Sequence, residues 1–207
     1  MQTHTQSIFK LTPSEALARL KAGNQRFLSA QSEIPTLEAE LLEAQAEAQE
    51  PYVTILGCSD SRVPPELIFD TWLGELFVIR VAGNVLDSSI LGTLQYAARH
   101  LHTPLFVVMG HEGCGAVKAA IGYRLKGVEH PEAIEGLLEA IVPAVDAVDP
   151  STPPEHFCNA AVEENVRRTV AFLQQTPEGQ AQIENGAGIV GAVYELHSGK
   201  VRFLEQG

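Results

Sequence analysis

Three short, nearly uninterrupted apolar runs punctuate the chain: Tyr52-Val53-Thr54-Ile55-Leu56, Leu76-Phe77-Val78-Ile79 and Leu105-Phe106-Val107-Val108-Met109. Runs of this length without polar alternation fit strands buried on both faces. Between the second and third, Ile90, Leu91, Leu94, Ala98 and Leu101 recur at helical spacing, with Ser88 or Ser89 placed as the N-cap. Near the start, Thr12 and Glu15 have the spacing of a capping box and Pro13 suits the first helical position. Leu17, Leu20, Phe27 and Leu28 then fall on one face of that helix. A stretch rich in Ala, Leu and Glu predicts a second helix over 37–48, and two more are expected over 131–148 and 155–174. The chain closes with Ile189 to Leu196 and Val201 to Leu204 around Ser198-Gly199, the pattern of a hairpin or edge pair. Apolar strands separated by helices predict a single α/β domain over 1–207 with a parallel sheet covered on both faces.

Composition narrows the function. A length of 207 residues fits one domain with a sizeable core. Lys and Arg number 14 against 26 Asp and Glu, a net charge of −12 with no basic cluster, which argues against nucleic acid and anionic membrane surfaces as partners. The opening MQTHTQSIFKLTPSE has neither a charged n-region nor an apolar h-region, and no apolar stretch approaches the length that spans a bilayer. Three cysteines are too few, and odd in number, for a disulfide framework. The cytoplasm is the expected compartment, where thiols stay reduced and can bind metal.

Two of those cysteines have chemistry in their surroundings. Cys58 and His111 each stand directly after a predicted parallel strand, where sites form in open α/β sheets. Cys114 follows His111 by three residues, so both can face one ion. Two thiolates and an imidazole make three ligands for one zinc per chain and leave a fourth tetrahedral position open, as in catalytic sites. A single cysteine after an apolar strand is ordinarily a small buried hydrophobe, and Cys158, on a helical face with Phe157, Ala161 and Val162, reads that way. Cys58 differs by its company, Cys58-Ser59-Asp60-Ser61-Arg62. On an alternating backbone, positions 58, 60 and 62 share one side, so a carboxylate and a guanidinium stand beside the open metal position.

CSDSR at 58–62 with HEGC at 111–114 resembles the β-class carbonic anhydrases. The similarity extends to Val63-Pro64-Pro65-Glu66, Gly83-Asn84, Gly115-Ala116-Val117 and Glu164-Asn165-Val166, and covers the chain from about residue 12 onward. It implies a mostly parallel sheet flanked by helices, with an antiparallel edge strand near the C-terminus. It further implies a zinc enzyme for the reversible hydration of CO2 to bicarbonate and a proton by zinc-activated water, with Asp60 orienting that water and Arg62 holding Asp60. A homodimer or higher homo-oligomer is implied, with zinc at the subunit interface and residues 1–50 as a helical arm on the partner. By the same resemblance Gln49, Phe77 and Tyr96 surround CO2, as in the plant-like subgroup, and Gly115 offers a backbone N–H.

Two other readings use the same residues. A hydrolase of carbonyl sulfide or carbon disulfide would keep the zinc ligands and change only the pocket. A non-catalytic zinc module would let Asp60 fill the fourth position, but Arg62 is present to restrain it. No motif surrounds His100, His102, His130 or His197, and none of them is expected to shuttle protons. A bicarbonate-regulated subgroup places Trp three residues before the first zinc cysteine. Here that residue is Ile55 and the only Trp is Trp72, so an open, unregulated site is expected; Arg80 occurs in both subgroups and decides nothing.

Overall fold

The computed structural model describes residues 10–32, 42–43 and 46–205. The helix expected over 37–48 falls largely outside them. Helix α1 spans Pro13–Leu28 and begins with the full capping box: Thr12 accepts from the Glu15 amide while Glu15 reaches back to the Thr12 N–H. Its inward face is Ala16, Leu20, Gly23 and Asn24, whereas Leu28 is 38% exposed. Asn24 is buried because it bridges three backbone groups, Ile68 O, Gly199 O and Val201 N.

After α1 come β1 (Val53–Gly57), the single turn α2 (Pro65–Ile68), β2 (Leu76–Arg80), α3 (Ser88–Tyr96) and β3 (Leu105–His111). Then follow α4 (Gly115–Lys126), α5 (Glu132–Ala147), α6 (Pro154–Gln175), α7 (Pro177–Glu184), β4 (Gly188–Tyr194) and β5 (Val201–Phe203). The sheet order is β2-β1-β3-β4-β5, parallel except for the antiparallel β4–β5 pair. Every residue of β1 and β3 is buried, as their unbroken apolar runs require.

Both faces of the sheet are covered. A Cβ on Gly191 would stand 2.8 Å from Val166 of α6, and one on Gly188 would stand 3.0 Å from Pro13 of α1. Three positions apart on one strand, the two glycines face opposite sides, so α6 and α1 lie on opposite faces. Among the described residues no helix is long and apolar enough to cross a membrane.

Three local expectations are corrected. The cap of α3 is Asp87, whose carboxylate accepts from the Ile90 amide at 2.8 Å, not Ser88 or Ser89. The helix expected to run on to Leu101 ends as α at Tyr96 and continues as one π turn over Ala97–Leu101, closed by His102 in the left-handed region. Helices α2, α4 and α7 have no counterpart among the elements that the sequence pattern predicts.

Candidate metal centre

From β1 the chain crosses to β2 on one side and later to β3 on the other, so the carboxyl ends of β1 and β3 flank the point where the winding reverses. Cys58 follows directly on β1, His111 ends β3, and Cys114 is the N-cap of α4. One ligand atom from each lies within 4.8 Å of the other two, and all three residues are buried. The two Sγ atoms are 3.9 Å apart. Sulfurs bound tetrahedrally at about 2.3 Å stand about 3.8 Å apart, so the pair is already spaced for a zinc-sized ion. His111 Nδ1 lies 3.0 Å from the Glu112 carbonyl oxygen, while Nε2 is buried without a hydrogen-bond partner. A proton on Nδ1, donated to that carbonyl, leaves the Nε2 lone pair free as a ligand. A buried nitrogen with no partner beside two sulfurs is what a metal satisfies, and the residues fit the ion that the sequence implies.

The two thiols share their proton unequally. Cys58 is pulled down to about 4, first by a hydrogen bond from Cys114 and then by His111 and the amides of Asp60 and Gly83, against the cost of burial. Cys114 is pushed up by the thiolate it serves and by burial, although the Val117 and Ala116 amides at the start of α4 favour its ionised form.

Beyond Cys58 the chain turns back instead of alternating. The Val63 amide donates to Asp60 O at 3.1 Å, and the Arg62 amide donates to Asp60 Oδ1 at 3.0 Å. This tight turn, stabilised by the aspartate's own side chain, folds Arg62 over Asp60. Asp60 Oδ2 also stands 3.8 Å from His111 Nε2, at the edge of the ligand set. Hydrogen bonds from Arg62 hold the Asp60 carboxyl well below the usual carboxylate range.

Two supports have no role that the sequence alone assigns. Arg80, ending β2, donates Nε to Cys58 O at 3.0 Å and Nη2 to Asp60 O at 2.6 Å. Gly83 donates its N–H to Cys58 Sγ at 3.4 Å from a φ of +67°. A Cβ there would come 2.6 Å from Ile141 and 3.1 Å from Ala116, so both conformation and space demand glycine. The signal for Gly83 is its place in the family-like Gly83-Asn84 pair, and that for Arg80 is its occurrence in both subgroups of the resembled family, which marks the position without assigning its role.

The expected substrate residues lie elsewhere. Phe77 pairs in register with Thr54, whereas Gly57 pairs with Arg80, so Phe77 sits roughly 10 Å short of the carboxyl end of the strand. Its ring meets Tyr96 with centroids 6.2 Å apart, and Tyr96 in turn meets His100 at 4.8 Å. Gln49, exposed, lines a cavity of about 480 Å³ with Tyr52, His100 and His102 at the amino ends of β1 and β3. Within one chain, therefore, Gln49, Phe77 and Tyr96 group at one end of the sheet and the Cys58, His111 and Cys114 cluster at the other. Gly115, the first residue of α4, is exposed with open space where a Cβ would be. Cys158 is partly buried against the core, with burial raising its thiol.

The carbonic anhydrase family profile matches residues 53–201. This chain belongs to the β-class carbonic anhydrases. Carbonic anhydrase 2 of Mycobacterium tuberculosis is 36% identical over 192 residues, covering 91% of each chain. The carbonic anhydrase of Mycolicibacterium smegmatis is 38% identical over 196 residues, covering 91% of this chain and 92% of the relative. The β-carbonic anhydrase CcaA superposes with a TM-score of 0.73 at 27% identity, over 91% of this chain and 95% of its own. A Coccomyxa β-carbonic anhydrase, solved with acetazolamide, gives 0.67 at 26% identity over 83% and 88%. The carbonic anhydrase match takes in both halves of the Cys-His-Cys cluster, and the chain is an enzyme of that family.

Proposed function

We propose that this enzyme hydrates CO2 reversibly to bicarbonate and a proton at one zinc per chain, held by Cys58, His111 and Cys114. The observation that carries this reading is the buried, unpartnered Nε2 of His111 facing two sulfurs 3.9 Å apart. Zinc bound there supplies Lewis acidity that makes water a nucleophile near neutral pH. Asp60 accepts a hydrogen bond from the reacting water through Oδ2 and so aims a lone pair at the carbon of CO2. Arg62, with two side-chain bonds to that carboxylate, keeps it ionised and fixes its direction. The resting site is open, with Asp60 paired to Arg62.

The pocket is built from two chains. Gln49, Phe77 and Tyr96 lie too far along the sheet to line their own chain's metal, yet Tyr96 is 48% exposed and β2 is an edge strand. In a homodimer these residues of one protomer line the metal centre of the other, and the Gly115 N–H faces substrate from the metal side. Stopped-flow CO2 hydration tests the whole reading. Zinc-loaded protein is expected to be active, chelator-stripped protein inactive, and readdition of zinc to restore turnover. Metal-loaded protein with no turnover would overturn it.

A further inference from the structure

Helix α6 touches the metal centre at three places, none of them a ligand. Asn165, 5% exposed, donates Nδ2 to Gly83 O at 2.9 Å. Gly83 is the residue whose N–H reaches Cys58 Sγ. Six residues earlier, Asn159 accepts through Oδ1 from the Gly113 N–H at 3.1 Å, inside the turn that joins His111 to Cys114. On the same stretch of helix, Val162 and Val166 press on Gly110, where an added Cβ would meet them at 2.9 and 2.7 Å. Gly110 immediately precedes His111.

We infer that Asn165 and Asn159 are positioning residues of the metal centre, Asn165 setting Cys58 through Gly83 and Asn159 setting the His111–Cys114 turn through Gly113. At 1.5 Å per residue the two asparagines are about 9 Å apart along the axis. Asn159, Val162 and Val166 share one helical face and Asn165 borders it. One rigid element thus fixes three backbone segments, and each segment carries or contacts a different ligand. The Asn165 amide satisfies a group that no other donor among the described residues reaches, since Gly83 is buried and its carbonyl without that amide would be an unmet acceptor. Relaxing it would move the N–H that Cys58 receives. Outer groups that aim metal ligands in this way typically alter metal affinity by about 10–100-fold when removed.

This inference rests on the proposal that the Cys-His-Cys cluster holds a metal, and its test separates the two. Wild type, Asn165→Ala, Asn159→Ala and Asn24→Ala are titrated with Zn2+ against a chromophoric chelator. The same four proteins are loaded with Co2+ and their thiolate-to-cobalt absorption is recorded. Asn24 is the control, an equally buried asparagine whose side chain joins α1 to the backbone of Ile68, Gly199 and Val201, none of them one of the three ligand residues. Expected are a zinc dissociation constant raised by about 10–100-fold and a shifted cobalt band in both α6 variants. Asn24→Ala is expected to lower the melting temperature and leave affinity and band unchanged. Asn159 is exposed, so its variant folds and keeps the test decisive if Asn165→Ala does not. A wild type that takes up neither metal overturns the metal-centre reading and this inference together. A wild type that binds both, with α6 variants indistinguishable from it or Asn24→Ala changing alike, overturns the inference alone.

Discussion

Arg62 closes on Asp60 as a fork, with Nε 2.9 Å from Oδ1 and Nη2 2.7 Å from Oδ2. Two parallel bonds fix the plane of the carboxylate, which a single ammonium cannot do. Asp60→Asn and Arg62→Ala are therefore expected to keep near one zinc per chain while CO2 hydration falls by about 10–100-fold or more. Arg62→Lys should recover little of the loss. Elemental analysis and stopped-flow turnover on the same preparations check this, and near-normal turnover in both Asp60→Asn and Arg62→Ala would reduce the pair to a structural one.

The same fork fixes a pH dependence. Asp60 is held below the usual carboxylate range, so it remains ionised throughout neutral pH. A depressed folded-state value gives a stabilising contribution that is complete above the ordinary aspartate range and disappears only as pH falls below it. Activity is thus expected to persist below about pH 8 and to decline smoothly with protonation of the reacting water. A steep, cooperative loss below pH 8, deepened by bicarbonate, would contradict this. So would a neutral-pH crystal of the zinc form with Asp60 on the metal.

Metal uptake should release about one proton from the two thiols, not two. Cys58 is already ionised near neutral pH in the metal-free site, with a value of about 4, while Cys114 retains its proton. Of the thiol protons binding then displaces only that of Cys114, which by itself raises zinc affinity about tenfold per pH unit. Calorimetry at pH 7.5 in buffers of different ionisation heat reads the total release, from which the part given up by the reacting water at that pH is subtracted. Two ordinary thiols would give a value near two at that pH.

Cys114→Ala is expected to drop zinc from near one per chain to near zero, and Cys158→Ala to leave it near one. Cys158 packs on the core from α6 and lies outside the cluster of three ligand atoms. Zinc loss from a folded Cys158→Ala protein would defeat the assignment.

Subunit mixing tests the two-chain pocket. A Phe77→Ala/Tyr96→Ala chain keeps its metal ligands, and a Cys114→Ala chain keeps its aromatic pair. Each alone should be nearly inactive. Subunit exchange between equal amounts should restore about a quarter of wild-type activity, since half of the dimers are mixed and each carries one intact site. Light scattering should show at least a dimer; a stable, fully active monomer would overturn the arrangement.

The grouping of Cys58, His111 and Cys114 is legible in the sequence because its chemistry is local. Cys58 and His111 follow apolar runs, and strand ends in an α/β sheet converge, so sequence position translates directly into proximity. Thr12 with Glu15 likewise announces α1 because a capping box closes within four residues. Helix α4 gives no such cue: its N-cap is Cys114, which makes no side-chain cap, and Gly115 and Gly122 weaken its pattern. The turn at Asp60–Val63 reads as extended backbone, since an aspartate bonding the amide two residues on cannot be told from an alternating strand by spacing. Of the group Gln49, Phe77 and Tyr96, the fold does gather Phe77 with Tyr96. Their distance from the ligands is hidden because strand register, not residue type, sets position along a sheet.

Arg80 grips the loop after β1 by the carbonyls of Cys58 and Asp60, not by any side chain. The shape of that loop is consequently indifferent to what stands at the two positions between the working residues. Ser59 and Ser61 are both exposed, and they offer freedom for sequence drift, or for attaching a reporter label, at the threshold of the metal centre. Arg80 has no such latitude, because a replacement would need two donors set apart to span both carbonyls.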